Sequence, residues 1–266
     1  MKIIVCVKQV PDTSGKVAVN PDGTLDRASM QTITNPDDLN AVEAALKLKD
    51  EPGCEVVVVT MGPPPAAGML REILARGADK AVLVSGREFG GSDTYATSQI
   101  LAAAINRIGV EKDDIVMCGR QAIDGDTAQV GPQIGEKLGL PQISYAAEIK
   151  KEGDVVTVKR MREDGYMTIK VQTPCLITCI KELNEPRYMS VGGVFEAYSK
   201  PMEVFDYNAL KDDPLIDATT IGLKGSPTNI LTSFTPPQKG AGMMLEGDDK
   251  ATCDKLAGIL AKKHII

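Results

Sequence analysis

The chain of 266 residues contains one histidine and no tryptophan, and its only aromatic residues are six tyrosines and four phenylalanines. The histidine, His264, lies close to the C-terminal end. Acid–base catalysis by histidine and metal centres ligated by histidine are therefore almost excluded. Because the side chains are poor candidates for chemistry of their own, we expect a bound cofactor to supply it.

Long apolar runs and an excess of positive charge are also missing. No apolar run reaches the length of a membrane span, and the opening MKIIVCVKQVPD predicts a strand and a turn rather than a signal peptide. The formal net charge is −6 and the isoelectric point is near 5.0. With acidic residues in excess, the chain lacks the positive charge that would neutralise a nucleic-acid backbone. The sequence therefore predicts a cytoplasmic protein that binds neither nucleic acid nor membranes.

The six cysteines are scattered, mostly inside apolar runs. Cys175 and Cys179 are four residues apart, a spacing that places both on one face of a strand. No further cysteine or histidine cluster completes a metal site with them. We therefore predict no bound metal, and we interpret the cysteines as buried free thiols in a reducing compartment.

The first half of the chain alternates short apolar runs with helical patterns. Strands are predicted over residues 2–8, 55–61, 81–85 and 114–118, with helices over 37–48, 68–76 and a stretch that ends near Gly109. Strands that are apolar throughout and alternate with helices are typical of a parallel sheet covered on both faces. Ligands of such sheets bind beyond the carboxyl ends of the strands.

The pattern changes after Pro141. Short alternating segments predict an antiparallel meander that extends the sheet, with strands over residues 143–150, 155–160, 167–172 and 175–180. Clear periodicity is then lost from residue 200 until a terminal helix predicted over residues 250–262. The stretch 225–247 either lies extended across another polypeptide or is a disordered linker. We divide the chain into an α/β domain, residues 1–223, and a C-terminal arm, residues 224–266.

The most informative segment is CGRQAIDGDTAQVGP, residues 118–132, which follows a predicted strand and precedes a predicted helix. Exposed N–H groups of such a loop, added to the positive end of the helix dipole, form an anion site. Gly119, Gly125 and Gly131 would let the backbone approach a ligand, and Asp126 and Thr127 are suitable N-cap residues. The alternative is a plain connection with an N-cap. We favour a phosphate or pyrophosphate site.

Several motifs in order resemble the β subunit of electron transfer flavoproteins. They are VCVKQVPD at residues 5–12, NPDD at 35–38, TMGP at 60–63, GAD at 77–79, the loop at 119–132, and LNEPRY at 183–188. The resemblance covers nearly the full length. It implies an open parallel sheet of the adenine-nucleotide-binding, Rossmann-like kind. It also implies a homologous α subunit that carries the electron-shuttling FAD.

The resemblance further implies which residues bind a cofactor. They are Cys6, Asn35, Asp38, Met61, Gly119, Arg120, Gln121, Ala122, Ile123, Gly125, Asp126, Thr127, Ala128, Gln129 and Val130. Cys6, Asn35 and Met61 lie at the carboxyl ends of strands or just before a helix. Because ligands of such sheets bind there, we expect these three residues around the base and ribose. The phosphates would contact Asp126, Thr127, Gln129 and nearby N–H groups. Alternatives are that Asn35 caps the helix after Pro36, and that Asp126 caps a helix or meets a ribose hydroxyl.

The family has two branches that differ in the nucleotide of the β subunit. Housekeeping members hold structural AMP, whereas bifurcating members of anaerobes hold a second FAD that takes hydride from NADH. The sequence resembles the bifurcating branch, with Arg120 in place of lysine, Gly125 in place of aspartate, and small Ala128 nearby. Gly125 and Ala128 would leave more room for a dinucleotide. The alternative is a non-bifurcating scaffold subunit with AMP.

The bifurcating branch implies a particular route for the electrons. One electron from the reduced flavin would pass to ferredoxin or flavodoxin, and the other would pass through the α-subunit FAD to an acyl-CoA dehydrogenase. Arg120 beside the flavin would favour a negatively charged reduced form. The chain is not expected to be catalytic alone.

Residues 184–197 resemble the recognition loop with which the family docks on an acyl-CoA dehydrogenase. Val191, Val194 and Phe195 surround Gly192 and Gly193 there. Several apolar side chains on one loop suggest a partner site. The alternative is that they pack back against the chain's own meander.

Overall fold

The computed structural model describes residues 1–12, 31–50, 53–228, 231–232 and 240–266. Within these ranges the strands are β1 (Lys2–Cys6), β2 (Gln9–Pro11), β3 (Thr32–Thr34), β4 (Glu55–Met61), β5 (Lys80–Val84), β6 (Ile115–Gly119), β7 (Gln142–Glu152), β8 (Val155–Arg162), β9 (Gly165–Gln172), β10 (Cys175–Cys179) and β11 (Met202–Phe205). The helices are α1 (Pro36–Lys49), α2 (Ala66–Arg76), α3 (Thr94–Ile108), α4 (Val130–Lys137), α5 (Val191–Glu196), α6 (Tyr207–Leu210), α7 (Gly222–Gly225) and α8 (Lys250–Lys262).

Nine of the strands form one sheet in the order β11-β5-β4-β1-β6-β10-β7-β8-β9. Neighbours from β11 to β7 run parallel, and the last two pairs are antiparallel. Side chains of α1 and α2 join one buried cluster, and those of α3 and α4 join the other. Buried apolar strands therefore lie between two helical layers, which confirms the predicted α/β class with an antiparallel extension.

Helix boundaries follow the local sequence. Pro36 opens α1, with Asp37 and Asp38 in the first turn and lysines in the last, as the helix dipole favours. The side chain of Asp93 accepts a hydrogen bond from the N–H of Ala96 at the start of α3, and Gly109 ends that helix with a φ of 87°. The predicted helices over residues 37–48, 68–76 and 250–262 correspond to α1, α2 and α8.

The predicted four-stranded meander is only partly correct. β7, β8 and β9 form it, but β10 lies parallel between β6 and β7. All five residues of β10 are buried, as in other central parallel strands. Cys175 and Cys179 do share one face, since both belong to the cluster that α1 and α2 cover.

Two features were not anticipated. β11 adds a parallel edge strand next to β5, in a stretch that we had interpreted as lacking periodicity. β2 and β3 form a separate two-stranded antiparallel sheet. No helix in the described part of the chain is both long and apolar enough to cross a membrane.

Candidate functional site

A cavity of about 330 Å³ opens at the carboxyl ends of the parallel strands. Its floor includes Cys6 of β1, Met61 of β4, and Cys118 and Gly119 of β6. The loop of residues 120–129 and the start of α4 form one wall. The beginning of α3 forms the opposite wall. This is the position at which ligands bind to open parallel sheets.

The structure brings most of the predicted cofactor-binding residues together. All of them except Asn35 and Ile123 line the cavity. Asn35 is fully buried behind the loop: its Nδ2 donates to the carbonyl of Gln121 at 2.8 Å, and its Oδ1 accepts from the N–H of Ile123 at 3.1 Å. It occupies the N-cap position of α1 without a capping side-chain bond. Asn35 is therefore the N-cap residue of α1 by position, but its amide side chain bonds to the loop and not to the helix.

Asp38 joins the ends of two strands beneath the cavity. Its Oδ2 accepts from the N–H of Lys8 at 2.8 Å, and its Oδ1 accepts from the N–H of Gly119 at 3.0 Å. Burial raises the pKa of Asp38 to about 7, although these bonds and a bond from Asn35 favour the carboxylate. The carboxyl thus fixes the floor of the cavity.

Two of the three glycines serve packing rather than the approach of a ligand. A Cβ on Gly119 would lie 2.3 Å from Asp38 Oδ1, and one on Gly131 would lie 2.8 Å from the Thr178 side chain. A Cβ on Gly125 would meet nothing within 4 Å. Only Gly125 therefore has the open space that we predicted for all three.

The helix after the loop begins within the predicted loop segment, but its cap is not the one that the sequence suggested. α4 begins at Val130 with Gln129 in the N-cap position, so the prediction that Asp126 and Thr127 cap the helix is wrong. Asp126 has a φ of 50° and Ala128 a φ of 53°, both in the left-handed region. Asp126 Oδ1 accepts from Gln121 Nε2 at 2.8 Å. These two residues bend the chain over the cavity before a helix can start.

The bend leaves a row of free donors. Among the described residues, the N–H groups of Thr127, Ala128 and Gln129 have no hydrogen-bond acceptor. Successive N–H groups around a residue in the left-handed region form a concave anion site, and the N-terminus of α4 adds its dipole. The geometry thus fits the phosphate site that the sequence predicted for this loop.

The opposite wall was missed by the sequence reasoning. Ser92, Asp93, Thr94, Thr97 and Leu101 line the cavity from the start of α3. Thr94 Oγ1 donates to Gln129 Oε1 at 3.1 Å, which joins the two walls. The signal was present in GGSDT, residues 90–94, a second glycine-rich turn before a helix.

The cations at the cavity are paired with carboxylates. Lys8 Nζ lies 2.8 Å from Asp124 Oδ1, and Arg120 Nε lies 3.3 Å from Asp37 Oδ2. Burial raises the pKa of Asp37, although the charge of Arg120 opposes this shift. Because both cations are largely neutralised, an anion in the cavity would depend mainly on backbone N–H groups.

The predicted docking residues lie on α5. Val191 is 79% exposed and Phe195 is 77% exposed, with Val194 at 41%. They do not pack back against the meander, so that alternative fails. A Cβ on Gly193 would lie 2.2 Å from the carbonyl oxygen of Ala75, so this glycine lets α5 contact α2 closely.

Comparison with known proteins gives a consistent result. The model of the electron transfer flavoprotein domain family matches residues 22–210. The acryloyl-CoA reductase electron transfer subunit gamma of Anaerotignum propionicum is 68% identical, with 100% of both chains covered. The caffeyl-CoA reductase-Etf complex subunit CarD of Acetobacterium woodii is 52% identical and the electron transfer flavoprotein subunit beta of Clostridium acetobutylicum 48%, again with 100% of both chains covered.

Proposed function

Because the chain belongs to the electron transfer flavoprotein family, we propose that it is a β-type subunit that binds FAD in its cavity and takes part in electron bifurcation. NADH would be the electron donor. Ferredoxin or flavodoxin would be one acceptor, and an acyl-CoA dehydrogenase, reached through the FAD of an α subunit, would be the other. The relatives with full-length matches include subunits named for acryloyl-CoA and caffeyl-CoA reductases.

One observation carries the choice of FAD over a mononucleotide. Two walls of the same cavity present groups that suit phosphate: the free N–H groups of residues 127–129, and the hydroxyls of Thr94 and Thr97 on α3. A pyrophosphate can contact both walls, whereas a single phosphate needs only one. Gly125 leaves open space beside the first wall.

The chain's own residues would bind and orient this cofactor. Asn35 and Asp38 hold the loop and the strand ends from below, so the free N–H groups keep their positions. Bound FAD would supply hydride acceptance and single-electron transfer, which no side chain here provides. The guanidinium of Arg120 lines the cavity, and its charge would favour an anionic reduced cofactor to the extent that Asp37 leaves it unneutralised.

Two exposed surfaces support the proposed partners. α5 presents Val191 and Phe195 for an acyl-CoA dehydrogenase. Helix α8 has no buried residue, although Leu256 and Ile259 lie at helical spacing, as expected for an arm that packs on an α subunit. The arm leaves near Thr228, whose N–H donates to Asp93 Oδ2 at 2.9 Å. We assign the complex to the cytoplasm.

A second candidate is a non-bifurcating β subunit that holds AMP as a structural ligand. The cavity volume of about 330 Å³ favours it, because this value is near the lower end for ligand pockets. Such a subunit would act as a scaffold and a docking surface without a flavin of its own.

Ligand release from the purified heterodimer separates the two candidates. Two FAD molecules per heterodimer after heat release would support the proposal, and one FAD with one AMP would contradict it. Gly125→Val should remove one of the two FAD molecules, because its branched side chain would enter the open space at the loop. Gly68→Val, on the exposed side of α2 and outside the cavity, controls for a general effect of the added side chain on loading, because its Cβ also meets nothing within 4 Å.

A further inference from the structure

The floor of the cavity carries three sulfur atoms. Cys6 and Cys118 are register partners on adjacent parallel strands, and both belong to the buried cluster beneath α3 and α4. Met61, at the end of the strand on the other side of β1, packs against the same cluster. All three side chains line the cavity. Two thiols and a thioether therefore face one space from three neighbouring strands.

The two thiols belong to residues that lie side by side in the register of β1 and β6. A hydrogen bond with Cys6, followed by burial, raises the pKa of Cys118 well above its usual value. Neighbouring strands lie about 4.8 Å apart, which is close to the span of two opposed metal–sulfur bonds of about 2.3 Å each. Both cysteines are free, at 7% and 6% exposure. Their sulfur atoms can thus lie on opposite sides of a small soft cation.

We propose that Cys6, Cys118 and Met61 form a binding site for a soft monovalent d10 cation, Cu⁺ or Ag⁺. Thiolate and thioether ligands select such ions over harder ones. Within the described ranges, no group of three or more His, Cys, Asp or Glu side chains gathers to hold a metal ion, so a zinc-type site is not supported. The site needs only the three sulfur atoms, and because Cys6 and Met61 are also expected around the base and ribose, the cation and a nucleotide would share the floor of the cavity.

The charge balance favours coordination by one thiolate and one thiol. The cation replaces a single thiol proton, which leaves to solvent, so that one positive charge enters and one leaves. The resulting unit is neutral. A second deprotonation would put a net negative charge into a buried floor that also holds the carboxyl of Asp38.

Silver titration of the full-length chain tests the site. Cys54→Ser and Cys253→Ser first remove the two cysteines that are not buried. In this background we expect one Ag⁺ per chain by native mass spectrometry, lost in Cys6→Ala and in Cys118→Ala. Met61→Leu should weaken binding without abolishing it. Cys179→Ala is the matched control, because Cys179 is equally buried but lies in the cluster on the opposite face of the sheet.

Retention of the silver ion by Cys6→Ala, or its loss from Cys179→Ala, would overturn the proposal. A second measurement needs no cavity variant. Ag⁺ should protect Cys6 and Cys118 from alkylation by N-ethylmaleimide under mild denaturant, and it should leave Cys175 and Cys179 unprotected. Equal protection of all four cysteines would also overturn it.

Discussion

Arg187 and Glu43 form a bidentate ion pair that fastens the segment before α5 to helix α1. Arg187 Nε lies 2.9 Å from Glu43 Oε2 and Nη2 lies 3.1 Å from Oε1, while the backbone N–H of Arg187 also donates to Oε2. The Glu43 side chain is only 5% exposed. Asp50 and Glu43 together raise the pKa of Arg187. The segment that leads into α5 is therefore attached to the helix whose first turn lies under the cavity.

Arg187→Lys should loosen this attachment. A lysine cannot satisfy both oxygens of a buried carboxylate, so we expect the free energy of unfolding to fall by about 1–3 kcal/mol. Hydrogen exchange should accelerate over residues 184–200. Asp50→Asn is the control, since the Asp50 side chain is 61% exposed and its pair with Arg187 should contribute less than about 1 kcal/mol. Equal losses of unfolding free energy in the two variants would show that the buried pair with Glu43 stabilises the fold no more than the exposed pair with Asp50.

Gly119→Ala should destabilise the fold strongly. Its Cβ would lie 2.3 Å from Asp38 Oδ1 and 2.6 Å from backbone atoms of α1, so the helix or the strand end must move. We expect a loss of about 3 kcal/mol or more, measured by chemical denaturation. Gly125→Ala should change stability by less than about 0.5 kcal/mol, because its Cβ meets nothing. A stable Gly119→Ala protein would contradict the packing role of this glycine.

Asn35→Ala should act on the loop and not on the helix. The substitution leaves the carbonyl of Gln121 and the N–H of Ile123 without their partner, at a cost of about 1–3 kcal/mol. Nucleotide affinity should fall while the helical circular dichroism of the folded protein is unchanged. Asn106→Ala, which removes an exposed bond to Asp213, serves as the control. Full affinity in Asn35→Ala would mean that the loop keeps its shape without this amide.

Asp38 should make stability depend on pH. Its pKa is about 7 in the fold and 3.8 in the unfolded chain, so between these values the folded state holds a proton that the unfolded state has released. Stability from this group is therefore full below pH 4 and is lost as the pH rises through 7. In Asp38→Asn the fall in unfolding free energy from pH 5 to pH 8 should be smaller by up to about 3 kcal/mol. Identical pH profiles would exclude this role.

Changing Val191 and Phe195 together to serine should impair docking and leave the fold intact. Both side chains are exposed, so the unfolding free energy should change little. We expect affinity for the acyl-CoA dehydrogenase to drop by about tenfold or more, since apolar side chains of this kind carry much of the energy of an interface. Under the proposed function, reduction of the cavity-bound FAD by NADH is the internal control. Val204→Ser, at an exposed site on β11, should leave electron delivery unchanged.

The parallel half of the sheet could be predicted because each of its strands is an unbroken apolar run that needs covering on both faces. β10 could not be placed, because its partners β6 and β7 are set by long-range pairing that local periodicity does not contain. β11 was missed because Glu203 and Val204 face solvent, so the strand shows no apolar run. An edge strand with exposed positions resembles a loop in sequence.

The position of the candidate cavity could be predicted from the sequence, whereas the conformation of the loop that lines it could not. The loop was identified from its glycines and its position between strand and helix. The start of α4 was misjudged because Asp126 and Thr127 are common caps, whereas the chain adopts left-handed conformations at Asp126 and Ala128. Ala128 carries no sequence signal for such a conformation.

The position of β10 bears on how the protein forms during synthesis. Among the described strands, β7 joins the parallel part of the sheet only through β10, so the antiparallel strands β7–β9 cannot be added to β6 until residues 175–179 have left the ribosome. The opposite edge at β5 stays open until residue 205. A chain that stops between these points exposes unpaired strand edges, which favour aggregation. Folding of the nine-stranded sheet is thus a late event, completed only after about three-quarters of the polypeptide has been made.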